Sequence, residues 1–160
     1  MLRFLAQGVC ADSIFQFLDY FEALRDFVTA SVLLRDSAQR RAARIEYFVE
    51  MMEECFELRN AQGAGQIISA LNAKYPKELP ETMDMCSQKA KDSIARMKDM
   101  FLITQSHKNY RSKMDDWISG TALGETKYIG HGDGIIPYMP VHLMVSQCHS
   151  YVELMTNEAH

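Results

Sequence analysis

Apolar residues recur at three- and four-residue spacing along most of the chain. From Ile14 through Phe17, Leu18, Phe21 and Leu24 to Val28 they fall on one face of an amphipathic helix, without the alternation of a strand. A second helix is predicted over "RDSAQRRAARIEYFVEMMEECFELRN", with Asp36 or Ser37 as N-cap and a stripe through Ile45, Phe48, Val49, Met52, Cys55 and Phe56. Glu46, Glu50, Glu53, Glu54 and Glu57 occupy the opposite side, which reads as a solvated face or as a strip for a partner. "RNAQGAGQIISALN" (59–72) continues in helical period through Ile67, Ile68 and Leu71, yet it carries Gly63 and Gly65. Each glycine in a helix interior costs roughly 0.5–1 kcal/mol against alanine, so the pair requires a reason.

"NAKYPKELP" carries two prolines and is expected to be a loop. A third long helix is predicted from about Met83, with Ala90, Ile94, Met97 and Phe101 on one side, and "HKNYRSKMDDWI" extends the same period through Tyr110, Met114 and Trp117. Trp117 suits a core anchor better than a contact residue. "SGTALGETKYIGHGDG" (119–134) is glycine-rich and predicts a flexible insert. In the last segment Pro140 fits a first helical turn, and Val141, Val145, Cys148, Val152 and Met155 form a stripe. Five or six helices and no strand give an all-α fold.

A chain of 160 residues, 48% apolar, can enclose one core, so a single helical domain over 1–160 is expected. The net charge of −4 and the scattered positive residues argue against a nucleic-acid partner. Cys10, Cys55, Cys86 and Cys148 are far apart and form no Cys-x-x-Cys pair, which suits reduced core thiols of a cytoplasmic protein. The apolar amino terminus is interrupted by Asp12, so neither a signal peptide nor a transmembrane segment is predicted.

Recognisable covalent chemistry is missing. There is no nucleophile elbow, phosphate-cradling loop or His-Glu-x-x-His signature, and "GHGDG" lacks the spacing of a dinucleotide fingerprint. On one helix Cys148 and His149 point about 100° apart. His142 and His149 could share a face, but two ligands do not make a site. No metal, no cofactor and no hydrolase, transferase or redox chemistry is expected; a helical protein of this kind works by binding.

The stretch "RRAARIEYFVEMMEECFELRNAQGAGQIISALN", with the later "HKNYR" and "IIPYMPVHL", resembles the catalytic domain of Ras-family guanine nucleotide exchange factors, the Cdc25-homology or RasGEF domain. The matching positions are Arg41 and Ala42 at the start of a helix, Leu58 to Asn60 as a Leu-Asn-Asn-type turn, Ile67 to Asn72, Asn109 to Arg111, and Ile136 to Tyr138. The order and most spacings agree over roughly 14–155, and the glycine-rich insert before Pro137 is longer than the family's. The resemblance implies part of a helical bowl that binds a small GTPase of the Ras superfamily. It also implies a carboxyl-terminal helix, in the position of the family's helical hairpin, that wedges between the GTPase's switch regions and speeds GDP release.

Carried over by position, the resemblance implies GTPase-binding roles for Leu18, Asp19, Gly65, Asn72 and His107, and wedge positions at Gln147 and Tyr151. Asn72 matches outright, although an asparagine there could equally end a helix. His107 stands where an aromatic residue is usual in some members, and Asp19 replaces a basic residue. Gln147 and Tyr151 stand where an apolar and an acidic residue are usual, and could as well lie on a solvent face. Pro140 replaces a glycine. The resemblance makes Gly63 turn punctuation and puts Gly65 where the family presents an apolar side chain. It does not extend to the family's amino-terminal helices, and the chain reaches His160 before a second hairpin helix is complete. The alternative implied function is a catalytically inactive scaffold domain that binds a GTPase or adaptor.

Overall fold

The computed structural model describes residues 10–73, 78–101, 104–119 and 134–143. The helices are α1 (Cys10–Leu33), α2 (Ala38–Glu57), α3 (Ala61–Leu71), α4 (Pro80–Met85), α5 (Gln88–Met100) and α6 (Thr104–Ile118); residues 139–143 are helical as well. Among the described residues no strand forms, and one isolated parallel bridge pairs Asn60 with Ile136. The fold is all-α, as the periodicity predicts. Two compact units divide the chain: 1–49 with 66–94, and 50–65 with 95–160.

In the first unit the core is built from Phe21, Val28 and Val32 of α1, Ala42, Ile45, Phe48 and Val49 of α2, and Ile67, Ile68 and Leu71 of α3. Leu24 is half-buried and Leu18 exposed, so the buried stripe of α1 is narrower than its apolar pattern. Ser37 is the N-cap of α2: its Oγ accepts the Arg40 N–H at 3.3 Å, while Asp36 pairs with the Arg40 guanidinium at 2.8 Å. Arg41 closes the corner, donating to the Arg35 carbonyl at 3.2 Å and to the buried Thr82 hydroxyl of α4 at 2.9 Å. Its neighbour Ala42 is small enough to pack inside.

The helix expected to run unbroken from Met83 through Trp117 is three helices. After α4 the backbone of Cys86 is extended (φ −68°, ψ 144°), and α5 restarts under Ser87, whose Oγ accepts the Ala90 N–H at 3.3 Å. Ser87's own N–H is accepted by Glu46 Oε1 of α2 at 2.7 Å. That bond and the Ser87 hydroxyl hold the Glu46 carboxyl below the usual glutamate range. A second break separates α5 from α6, and Asn109 Nδ2 ties them by donating to the Asp99 carboxylate at 2.8 Å. Apolar periodicity is blind to such breaks when the residues on either side keep the same face buried.

In the second unit Met52, Phe56, Met97, Tyr110, Met114 and Trp117 are buried. The Phe56 ring lies 5.0 Å from Trp117 and 6.4 Å from Phe101, so Trp117 is a core anchor. Cys55 and Cys86 are free thiols, and burial pushes both pKa values up. No described helix is long and apolar enough to cross a membrane.

Candidate functional site

The densest polar organisation in the second unit surrounds the turn between α2 and α3. Arg59 N–H reaches the Phe56 carbonyl at 3.0 Å and Asn60 N–H reaches the Cys55 carbonyl at 2.8 Å, the two bonds of a Schellman closure with Arg59 at its left-handed position, φ 57°. Asn60 then serves the next helix. Its Oδ1 accepts the Gly63 N–H at 2.8 Å and its carbonyl accepts the Ala64 N–H at 3.2 Å, making it the N-cap of α3. One residue ends α2 and starts α3, which fixes a tight corner.

That corner corrects the reading of the glycines. Gly63 is not in the turn but in the first turn of α3, where a Cβ would stand 3.0 Å from both Asn60 Nδ2 and Cys55 Sγ. At Gly65 a Cβ would meet the Tyr138 ring at 2.4 and 2.5 Å, so the glycine is there because a ring of the same chain lies against the helix backbone. Gly65 itself is buried.

Segment 134–143 is attached to the corner through its backbone. Ile136 N–H donates to the Arg59 carbonyl at 3.1 Å, the Ile136 carbonyl accepts Gln62 N–H at 3.2 Å, and Gln62 Oε1 accepts Met139 N–H at 2.9 Å. From α6 the Tyr110 hydroxyl accepts Tyr138 N–H at 2.8 Å and pairs with His142 Nε2 at 3.1 Å. Burial raises the Tyr110 pKa against the lowering effect of that N–H, and burial pushes Tyr138 up to about 12. Both are neutral phenols at physiological pH. The rings of Phe101, Tyr110 and Tyr138 pack at 5.0 to 6.2 Å. The outcome is a helix start, 139–143 with Pro140 in its first turn, held in one position.

The expected site residues divide between the units. Leu18 and Asp19 of α1 are exposed and belong to the first unit. So does Asn72, half-buried just past α3, where its N–H continues the helix ladder to the Ile68 carbonyl at 2.9 Å. Asn72 lacks the positive φ of a left-handed cap, and among the described residues its side chain has no hydrogen-bond partner. Gly65 and His107 belong to the second unit. His107 is buried at φ 58°, and neither ring nitrogen has a partner among the described residues. Gln147 and Tyr151 lie outside the described residues, as does the 119–134 insert except for its two ends.

Sequence reasoning missed Arg59, Gln62, Tyr110 and Tyr138 as a working set. The available signal was Gly65: a glycine in a strong helix former's place announces a close neighbour. Among the described residues no three or more His, Cys, Asp or Glu gather to hold a metal. What the arrangement does is fix backbone.

The family model described as the RasGEF domain matches residues 5–157. Among curated proteins, the chain is 25% identical over 104 residues to Ras guanine nucleotide exchange factor D of Dictyostelium discoideum, covering 65% of this chain and 15% of that protein. It is 26% identical over 132 residues to cell division control protein 25 of Candida albicans, covering 82% and 9%. With the RasGEF domain-containing serine/threonine-protein kinase X of Dictyostelium discoideum the identity is 27% over 108 residues, covering 68% and 11%. The matched stretch is thus a small part of each of these relatives.

Proposed function

The chain belongs to the RasGEF domain family, and from that premise we propose that it binds a small GTPase of the Ras superfamily and promotes GDP release by inserting a helix between the switch regions. The observation that carries this reading is the anchoring of 134–143 on the Arg59–Asn60 corner and on Tyr110, because a wedge transmits force only if its base is fixed. The helical segment 139–143 precedes Gln147 and Tyr151 in the sequence; these are the proposed wedge positions and lie outside the described residues. Exchange then needs no covalent step. A protein that binds the nucleotide-free GTPase more tightly than the loaded one shifts the population by that difference in affinity, and free GTP refills the site.

Leu18, Asp19 and Asn72 are the proposed contacts in the first unit. Exposed Leu18 offers apolar area, and the half-buried Asn72 amide, with no side-chain partner among the described residues, offers a donor and an acceptor. Asp19 would repel a partner that presents a carboxylate and favour one that presents a base. Gly65 and His107 are the proposed GTPase-binding positions in the second unit; both are buried, and Gly65 seats the Tyr138 ring. The test is fluorescent GDP release from a panel of Ras, Rap, Ral and Rho-type GTPases with excess GTP. Release above the intrinsic rate for at least one member is the expected result, and intrinsic rates throughout would reject exchange. Binding without faster release would favour the scaffold reading. Asn72→Ala should weaken GTPase binding while the melting temperature stays within about 2 °C, as for a half-buried side chain with no hydrogen-bond partner among the described residues.

A further inference from the structure

Four arginines stand between positions 35 and 44, all in the first unit. Arg41 is occupied by the Arg35 carbonyl and Thr82. The other three, Arg35, Arg40 and Arg44, line one open hollow of about 420 Å³ with Ala43 and Tyr47. Of the 17 lysines and arginines of the chain, these four fall within ten positions. Among the carboxylates nearby, Asp36 holds Arg40 at 2.8 Å, Glu46 is turned to the Ser87 N–H, and Asp26, next to Phe27, pairs with Arg25 at 3.7 Å. The first turn of α2 contains no acid, and the positive end of the helix dipole adds to the arginines, with Asp36 just before the cap offsetting part of it.

Apolar side chains are exposed beside these charges. Leu34, directly before Arg35, is 84% exposed, and Phe27 is 61% exposed. The Phe27 and Tyr47 rings both stand edge-on to Phe48, at 6.5 and 5.6 Å, so they flank one core ring on the outside. The Arg44 guanidinium lies 5.3 Å from the Tyr47 ring centroid, which joins the apolar and the charged halves. In a chain of net charge −4 this corner has the opposite sign from the molecule as a whole.

We infer that this corner docks on an anionic lipid surface. Guanidinium groups meet the phosphate headgroups, while Leu34, Phe27 and Tyr47 enter the boundary between headgroups and acyl chains. The pairing of charge excess with neighbouring apolar bodies selects this occupant. A soluble phosphate or a nucleic-acid backbone would satisfy the arginines and leave Leu34 and Phe27 in water.

The test uses the 160-residue chain in co-sedimentation with phosphatidylcholine vesicles, with and without phosphatidylserine. Partitioning should require phosphatidylserine, weaken as salt rises, and fall roughly tenfold or more when Arg35, Arg40 and Arg44 are all replaced by alanine. Leu34→Asp should reduce partitioning severalfold with an unchanged melting temperature, since that side chain is almost wholly exposed. Failure to prefer phosphatidylserine, or a preference that survives both variants, overturns the proposal. So does arginine-dependent binding of inositol hexakisphosphate or single-stranded DNA that is indifferent to Leu34→Asp and comes without vesicle binding.

Discussion

At Arg59 the backbone takes φ 57°, the left-handed conformation that a Schellman closure demands and that glycine or asparagine fills at least cost. The resemblance places an asparagine at that position, so the turn was legible. The burial of the guanidinium was not, because a polar stretch between two helices says nothing about what covers it. Arg59 is 1% exposed, and none of its three side-chain nitrogens has a partner among the described residues. A buried unpaired charge costs several kcal/mol, whereas an unbranched apolar side chain of similar length keeps the packing. Arg59→Met is therefore expected to stabilise the protein by about 1–3 kcal/mol, seen as a melting temperature several degrees higher; a lower one would mean that the guanidinium is paired. Gly65 responds in the opposite direction. Alanine improves helix propensity by about 1 kcal/mol, but its Cβ would stand 2.4 Å from the Tyr138 ring. Overpacking of that kind costs about 1–3 kcal/mol, so Gly65→Ala should lower the melting temperature in the native background. In a Tyr138→Ala background the same change should raise it, and additive effects of the two substitutions would show that the ring is not what the glycine accommodates.

Single helices were read well where one face is buried along the whole length. In α2 the predicted stripe of Ile45, Phe48, Val49, Met52 and Phe56 is buried, with Cys55 half-buried, and Ser37 is one of the two caps proposed. The long third helix failed because Ala90, Met97, Tyr110, Met114 and Trp117 stay buried across breaks that their spacing does not register. The first break is stabilised from outside its own sequence, by Glu46 of α2 accepting the Ser87 N–H at the start of α5. Hydrogen bonds from Ser87 lower the Glu46 pKa in the folded protein, so the contribution to stability is present above the ordinary glutamate range and is lost as pH falls through the lowered value. Glu46→Gln should accordingly cost about 0.5–1 kcal/mol at neutral pH, given the partial exposure of the carboxylate. The gap between the two melting temperatures should close as the buffer is taken into the acid range below it. A gap that persists unchanged at low pH would assign the loss to packing instead of the charged acceptor.

For the molecule as a whole, the family was legible because the matching motifs come in the right order, and the domain family model covers residues 5–157 despite identities of 25–27% to its relatives. How the "IIPY" segment serves the fold was not legible, since Ile136 and Arg59 are brought together by backbone bonds that carry no side-chain pattern. Tyr110 is where that attachment can be loosened without dismantling the core. Tyr110→Phe keeps the ring that packs on Phe101 and Tyr138 and removes the acceptor for Tyr138 N–H and the partner of His142. A purely structural role predicts the loss of about one net hydrogen bond, on the order of 1 kcal/mol and a few degrees of melting temperature. A role in fixing the wedge predicts more. If the helix starting at Met139 opens the GTPase, a base free to shift by an ångström should slow stimulated GDP release by roughly tenfold or more, at temperatures where the variant is fully folded. Stimulated release in Tyr110→Phe equal to that of the native chain would detach the anchor from exchange and leave it a feature of the fold alone.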